Sequence, residues 1–385
     1  MKLFIRQLVL FYFSMAVVLL AFLTCSENTD IVTPSDETSL EMKVTFTPIK
    51  VKTTNGKVNL LYGVELPNFE KQGYKLKDFQ VSNSTTLTLF CSIKDTTKYL
   101  LLHKAYDKSL TSEEYNTPNS AVHSTFRISI GLLLDPEQVP QKLKHKIILT
   151  KDGNDKIIEE TETVVEEQLP VLSSPLKGNG LVAGATTSLE NNHHPAFQLT
   201  YKGKTTVIER YCVDWVKIDE AGNYFSGDPN VLESWYIYGQ DVYSVADGTV
   251  ISVENDFPDQ QMTGPQYETT VYNGTGNYVV IQINGGYAVY CHFKPNTITV
   301  KSGQKVTRGQ LIGKVGNSGD STPPHLHFGL HSEFPYYISE SLPYYIDSME
   351  KTGTKGGLFG PYIKLAAPEK HTNEIVENYG VYNLK

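Results

Sequence analysis

Hydrophobic and polar residues alternate with a period of two over much of the chain, which is the pattern of half-buried β-strands. Val44–Pro48, Thr86–Leu89 and Phe126–Ile130 each show this alternation, and turn residues lie between the runs. Several short strands at such intervals are typical of antiparallel sandwiches. We therefore predict an all-β protein whose first domain, at residues 42–170, is a β-sandwich.

A segment rich in Pro, Ser and Gly, Pro170–Gly180, interrupts the alternation and predicts a linker at residues 171–182. Strand-like runs then resume, for example at Val242–Val245 and Thr249–Val253, and the Asp247–Gly248 dipeptide between them predicts a hairpin turn. We predict a second β domain at residues 183–335, with an aromatic extension at 336–385 packed on it. The spacing of strands and turns in the first domain favours an Ig-like sandwich.

The N-terminus carries the pattern of an export signal. Lys2 and Arg6 precede an apolar run, Leu8–Leu23, which is almost long enough for a transmembrane helix. The run ends at Cys25, and a polar tail follows at once, which favours a lipoprotein signal instead. Phe22–Cys25 resembles a lipobox, so we predict a signal peptide at residues 1–24, lipid on Cys25 and a flexible tether at 25–41.

Both interpretations of the N-terminus place the remaining chain outside the cytoplasm. We predict a membrane-anchored protein of the cell envelope, in the periplasm or on the outer membrane. The 385 residues have a formal net charge of -8 and no Lys/Arg cluster, which excludes a nucleic-acid partner. Cys91 and Cys291 are predicted to be buried free thiols. The scattered histidines of the first domain, His103, His123 and His145, are predicted at the surface.

Pro324–Phe328 (PHLHF) is the strongest chemical signal in the sequence. In a strand, His325 and His327 point to the same face. Two neighbouring imidazoles can share a metal, or one can bind it while the other moves protons. Further motifs stand upstream. Five contain glycine, at Asp247–Val250, Gly276–Ile281, Gly303–Val306, Gly309–Gly313 and Gly316–Gly319, and a sixth, Tyr290–Phe293, contains His292.

The order and spacing of these motifs, over roughly residues 210–330, resemble the LytM/lysostaphin-type zinc endopeptidases of bacterial cell walls. The resemblance implies a lipoyl-like β domain of the duplicated hybrid motif type, a zinc cofactor and peptidoglycan peptides as the binding partner. It also implies that Asp214 and His327 bind the metal, that His325 is the general base and that His292 stabilises the oxyanion.

One position departs from the family pattern. Arg210 stands four residues before Asp214, where the family has a metal-binding His, and a guanidinium is no zinc ligand. An Arg210–Asp214 ion pair in an empty site is one interpretation. The third ligand is otherwise Cys212, expected on the same strand face as Asp214, or a member of the pair His193 and His194. That pair before an Arg-Tyr-x-x-Asp strand resembles a branch of the family.

Two functions follow from this pattern. The first is an exported zinc metalloendopeptidase that cuts the peptide cross-links of peptidoglycan. The alternative is a metal-free homologue that binds the cell wall or activates another wall hydrolase as its partner. A lipoyl carrier is set aside, because Gly316–Gly319 offers no lysine at a hairpin tip. An insertion at Val216–Tyr238 either walls a peptide groove or forms a solvated loop.

Overall fold

The computed structural model of the chain describes residues 40–67, 69–70, 72–93, 102–106, 123–187, 194, 198–201, 204–270 and 273–385. In these ranges the regular elements are β-strands and three short 3₁₀ turns, at Pro136–Gln138, Leu232–Ser234 and Tyr336–Ile338. The predicted all-β class is therefore confirmed. The predicted signal peptide and Cys25 lie outside the described residues. Within the described part, no helix has the length and apolar character needed to cross a membrane.

Nine strands form the first half of the described chain. They are β1 (Lys43–Phe46), β2 (Val51–Lys52), β3 (Val58–Pro67), β4 (Lys75–Asn83), β5 (Leu89–Ile93), β6 (Leu102–Tyr106), β7 (His123–Leu134), β8 (Lys142–Lys151) and β9 (Asn154–Thr163). One sheet has the order β1-β3-β7-β6 with β2 paired to β3, and the other has the order β5-β4-β8-β9. Alternate residues of both sheets, among them Leu60 and Ile147, share one apolar core. The Ig-like class and the domain bounds stay predictions.

His145 lies inside this core, so its predicted surface position is wrong. It is fully buried, and its Nε2 lies 2.9 Å from the Tyr62 hydroxyl. His145 occupies an inward position of β8, where alternation directs its side chain between the sheets. The hydroxyl satisfies a polar atom that burial would otherwise leave unpaired. The side chains of His103 and His123 lie outside the described part.

Seventeen strands follow. They are β10 (Val171–Leu172), β11 (Gly178–Ala185), β12 (Gln198–Tyr201), β13 (Lys204–Val207), β14 (Val213–Lys217), β15 (Asp241–Tyr243), β16 (Gly248–Glu254), β17 (Tyr278–Ile283), β18 (Gly286–Cys291), β19 (Lys305–Val306), β20 (Leu311–Lys314), β21 (Leu326–His331), β22 (Ser341–Leu342), β23 (Tyr345–Ile346), β24 (Met349–Lys355), β25 (Tyr362–His371) and β26 (Gly380–Leu384). Most of them join one sheet of order β19-β16-β17-β18-β21-β14-β11-β26-β24-β25, with β22 paired to β21. The C-terminal strands thus continue the sheet that holds β14 and β21.

The pairing of three central strands brings distant residues together. β14 pairs with β21 so that Asp214 lies opposite His327, and β18 pairs with β21 so that Cys291 also lies opposite His327. On the other side, β11 places Ala185 opposite Asp214, and the register shifts after Ala183. Such irregularities are common beside functional sites. The sheet therefore brings the residues around Asp214 and His327 onto neighbouring strands.

The predicted hairpin at Asp247–Gly248 is wrong. β15 pairs with β20 and not with β16, which begins at Gly248 and pairs with β17. Gly248 meets a packing requirement instead, because a Cβ there would lie 2.5 Å from the Gln282 carbonyl oxygen and 2.6 Å from Ile281 Cγ2. Glycine is therefore required at position 248 because a neighbouring strand lies close to it, and not because the chain turns there.

Candidate metal and catalytic site

Three side chains from separate parts of the chain converge on one point. Metal-ligating atoms of His194, Asp214 and His327 all lie within 4.8 Å of one another. His327 Nδ1 lies 2.8 Å from Asp214 Oδ1, and His194 Nε2 lies 3.1 Å from Asp214 Oδ2. The cross-strand pairing of β14 and β21 explains the first of these contacts. Two imidazoles and one carboxylate form a donor set that catalytic zinc sites use.

A hydrogen bond to the backbone fixes the orientation of the His194 ring. His194 is fully buried, and its Nδ1 lies 3.3 Å from the Cys212 carbonyl oxygen. Only a protonated Nδ1 can donate to that oxygen, so Nε2 faces Asp214. A backbone partner of this kind is what holds a metal-binding imidazole in its productive tautomer. The donor set therefore fits a metal in its orientation as well as in its composition.

Two more predicted histidines stand beside this cluster. His325 Nε2 lies 3.6 Å from Asp214 Oδ1, and the ring centroids of His292 and His325 are 4.6 Å apart. His325 Nδ1 lies 2.9 Å from the Pro323 carbonyl oxygen, and His292 Nδ1 lies 2.8 Å from the Ser318 carbonyl oxygen. In its neutral form, each ring donates through Nδ1 and keeps a lone pair on Nε2.

The cluster is electrostatically coupled. Burial raises the pKa of Asp214, but the charges of His194 and His325 outweigh burial and hold the pKa well below its usual value. Burial lowers the pKa of His194, yet attraction by Asp214 and a hydrogen bond to it raise the pKa to about 9. Burial, with repulsion from His325 and His327, holds the pKa of His292 well below its usual value. Asp214 is therefore anionic and suited to a cation.

Arg210 lies away from the cluster, so the expected Arg210–Asp214 ion pair is wrong. Its buried guanidinium lies 3.2 Å from Glu340 and is centred 4.0 Å above the Phe46 ring. Arg210 was also expected to share a strand face with Asp214. This is wrong, because β14 begins only at Val213 and Arg210 lies in the preceding turn. The turn rotates the side chain out of the strand alternation, towards β1.

The other predicted third ligands have different outcomes. Cys212 directs its Sγ to within 3.9 Å of His331 Nε2 and 3.8 Å of the Ser341 hydroxyl, and it is not part of the donor cluster. Burial holds the pKa of the Cys212 thiol well above its usual value, which disfavours the thiolate that a metal needs. His194 is in the cluster, and His193 lies outside the described residues.

The cluster opens into a groove of about 640 Å³. Asp214, His292, His325 and His327 all line it, as the sequence predicted for one shared groove. Within the Val216–Tyr238 insertion, Val216 lines the groove, while Tyr224 and Trp235 are buried in an apolar cluster. The aromatic residues of the insertion thus pack against the sheet, whereas residues 226–231 form an exposed loop.

Sequence reasoning missed the other side of the groove. Leu358 and Tyr379 line it from the C-terminal extension, and Gly184 lines it from β11. The available signal was the Gly356–Pro361 segment (GGLFGP), in which two large apolar residues interrupt a turn-forming sequence between two strands. Such residues at a turn need a packing or binding partner.

Comparison with known proteins agrees with this geometry. The model of "Peptidase family M23" matches residues 236–336, which include His292, His325 and His327 but not His194 or Asp214. The chain is 41% identical over 93 residues to the peptidoglycan DD-endopeptidase ShyA of Vibrio cholerae, a match covering 24% of this chain and 17% of that relative. It is 38% identical over 58 residues to the L-Ala--D-Glu endopeptidase of Bacillus subtilis, covering 13% of this chain and 18% of that relative.

The chain thus spans less than a fifth of the length of these two relatives. A structural likeness to the catalytic domain of lysostaphin from Staphylococcus simulans covers 43% of this chain and 84% of that chain, at 22% identity and a TM-score of 0.23, which is too low to support an argument. The sequence match and the histidine arrangement are sufficient without it: this chain carries a domain of peptidase family M23, the LytM/lysostaphin family.

Proposed function

We propose that this protein is an exported zinc metalloendopeptidase that cuts peptide cross-links in bacterial peptidoglycan. The observation that carries the proposal is the convergence of His194, Asp214 and His327 beside two further histidines in one groove. The name of one relative, a peptidoglycan DD-endopeptidase, supports the substrate class, and the name of the other, an L-Ala--D-Glu endopeptidase, supports peptide-bond cleavage.

His194, Asp214 and His327 would hold the metal. Their donors fit zinc in number and type, and the Cys212 carbonyl orients His194 for it. A bound zinc ion acts as a Lewis acid that lowers the pKa of a coordinated water and polarises a carbonyl. The carboxylate of Asp214 supplies the negative charge that offsets part of the cation's charge.

His325 takes the proton of the attacking water. Its Nδ1–H donates to the Pro323 carbonyl oxygen, so Nε2 keeps its lone pair and faces the cluster. His292 has the same arrangement, with Nδ1–H bonded to the Ser318 carbonyl oxygen. A neutral His292 has no N–H at Nε2, so it stabilises an oxyanion there only in its protonated form, which its lowered pKa disfavours.

The metal-free alternative finds less support. It required Arg210 to pair with Asp214 and to leave the site without a third ligand. Arg210 instead contacts Glu340 and Phe46, and His194 reaches Asp214. The digestion assay described next distinguishes the peptidase from this alternative, the activation of another wall hydrolase.

Digestion of purified peptidoglycan tests the proposal, with the released muropeptides identified by mass spectrometry. Replacement of the general base, His325→Ala, should reduce the rate by at least about 100-fold and leave zinc content unchanged. His327→Ala should remove both zinc and activity. His371→Ala is the matched control, because His371 pairs with Glu374 at 2.7 Å and does not line the groove. Undiminished digestion by His325→Ala would sink the proposal, whereas stimulation of a second hydrolase by an inactive wild type would favour the alternative.

We also propose that lipid on Cys25 anchors the protein outside the cytoplasm. The apolar run that ends at Cys25 supports this. Cys25→Ala should release the protein from membranes or block its processing. A variant that stays membrane-bound at unchanged mass would favour a transmembrane anchor.

A further inference from the structure

The C-terminal extension forms part of the groove wall, although it lies outside the residues that match the family model. Leu358, in the loop between β24 and β25, and Tyr379, just before β26, line the groove together with Gly184 and Val216. The family match ends at residue 336 and begins at residue 236, so none of these four residues belongs to it. This wall is therefore a feature of this chain and not of the matched family segment.

The four residues form a small uncharged recess next to the metal-binding cluster. A Cβ placed on Gly184 would lie 3.4 Å from the Asp214 carbonyl oxygen, 3.5 Å from Val216 Cγ2 and 3.7 Å from Leu358 Cδ1. Gly184 leaves this space open because it has no side chain. β11 and β14 are adjacent strands, about 4.8 Å apart, so the recess lies one strand away from Asp214.

The loop that carries Leu358 is firmly attached. Gly356 N donates to the Pro361 carbonyl oxygen at 3.0 Å, and the Phe359 ring packs edge-on against Tyr224 with centroids 6.4 Å apart. The Lys355 ammonium group donates to the Gly222 carbonyl oxygen at 2.9 Å. Phe359 is 80% exposed, so the loop is held mainly by Lys355 and by the packing of Leu358 against the apolar cluster that contains Val216 and Tyr224. A wall that is packed before the ligand binds loses little freedom on binding.

Tyr379 is held in place by its backbone. Its φ of 61° lies in the left-handed region, which residues with a side chain adopt rarely. Tyr379 N donates to the Ala183 carbonyl oxygen at 2.7 Å, and its own carbonyl oxygen accepts from Lys355 N at 2.8 Å. Non-glycine residues held in this conformation concentrate at functional sites.

We infer that Gly184, Val216, Leu358 and Tyr379 form a subsite that receives an uncharged, apolar side chain of the bound peptide. The inference rests on the proposed peptidase function. An extended peptide advances about 3.3 Å per residue, so the subsite takes the side chain one or two residues from the bond that is cut. Its walls select by size, since Leu358 limits the depth of the recess and a side chain at position 184 would narrow it in proportion to its volume.

Peptide binding tests the subsite separately from catalysis. The probes are synthetic cross-linked stem peptides that carry Ala, Leu or Phe next to the scissile bond. They are titrated calorimetrically into the zinc-loaded His325→Ala protein, whose reduced activity leaves them intact during the titration. Leu358→Ala should weaken binding of the Ala peptide about tenfold and shift preference towards Phe. Gly184→Val should exclude Leu and Phe, and Gly184→Ala, whose added carbon makes only ordinary contacts, should exclude Phe alone.

Ile363→Ala is the matched control, because Ile363 lies on β25 in the same extension with 60% of its surface exposed. Zinc content is measured for every variant, so that a disturbed metal site is recognised. If the Leu358 and Gly184 variants bind the three peptides in the same order and strength as the Ile363 control, the subsite is refuted while the peptidase function stands. If the His325→Ala protein binds none of them while wild type digests peptidoglycan, the subsite alone is refuted. If wild type also releases no muropeptides, both proposals fall.

Discussion

Replacing Arg210 by the histidine of the family pattern should weaken the fold without improving the metal site. The guanidinium is 2% exposed, is paired with Glu340 and lies over the Phe46 ring. Breaking a buried ion pair costs about 3–5 kcal/mol, and the partly exposed Glu340 carboxylate recovers some of that through water. The lost cation–π contact costs a further 0.5–2 kcal/mol, roughly. With the recovery at Glu340 roughly offsetting the loss of the cation–π contact, we expect Arg210→His to lower the free energy of unfolding by about 3–5 kcal/mol.

The assay is a denaturant titration at pH 8, where a new imidazole would be mostly neutral and unable to replace the ion pair. Arg210→Lys is the matched control, because it keeps the charge but loses the planar contact with Phe46. Zinc content of the folded Arg210→His protein should equal that of wild type. Two results would refute the reasoning: unchanged stability of Arg210→His, or zinc uptake by an Arg210→His protein that also carries His194→Ala. The second would mean that position 210 faces the metal after all.

Two further predictions concern the fold. Burial lowers the pKa of His145 from 6.5 to about 4, so between these pH values the unfolded chain binds a proton that the folded chain does not bind. The free energy of unfolding should therefore fall between pH 6.5 and pH 4, by up to about 3 kcal/mol. His145→Gln should flatten this part of the melting-temperature profile. An acid profile unchanged by that variant would exclude His145 as the cause. Lys351 pairs with Glu377 at 2.7 Å, and both side chains are 10% exposed. Lys351→Met should lower the free energy of unfolding by about 3 kcal/mol, because it leaves a buried carboxylate without its partner. The double variant with Glu377→Gln should recover part of this loss. A double variant that loses the sum of both single losses would show that the two side chains are not coupled.

Alternation in the sequence predicted most strands, because burial between sheets imposes a period of two whatever the topology. The prediction was wrong at Thr86–Leu89, where a turn precedes β5 and Leu87 is 66% exposed. Alternation was not sufficient to place single polar residues. His145 has the same local pattern as a surface histidine, and its burial is made tolerable by a contact with the distant Tyr62 hydroxyl. The predicted turn at Asp247–Gly248 was wrong for a related reason. Position 248 has no room for a side chain, because Gln282 and Ile281 on a neighbouring strand lie too close.

The candidate site was predictable where its residues stand in strands with a fixed register. Asp214 and His327 meet because β14 and β21 pair, and motif spacing carries that information. Arg210 was misplaced because strand alternation was extended into a turn, where side-chain direction no longer follows a period of two. Leu358 and Tyr379 reach the groove through a sheet that returns the C-terminus to β11, a long-range pairing that local pattern does not reveal.

The central claim is that His194 completes a metal site with Asp214 and His327. Zinc analysis of the purified protein, after dialysis against a weak chelator, tests it most directly. Cys212→Ser is the matched control, because Cys212 neighbours the site yet directs its Sγ towards His331. Wild type and Cys212→Ser should hold one zinc ion per chain, and His194→Ala should hold none. Stoichiometric zinc in His194→Ala, or its loss in Cys212→Ser alone, would contradict the account.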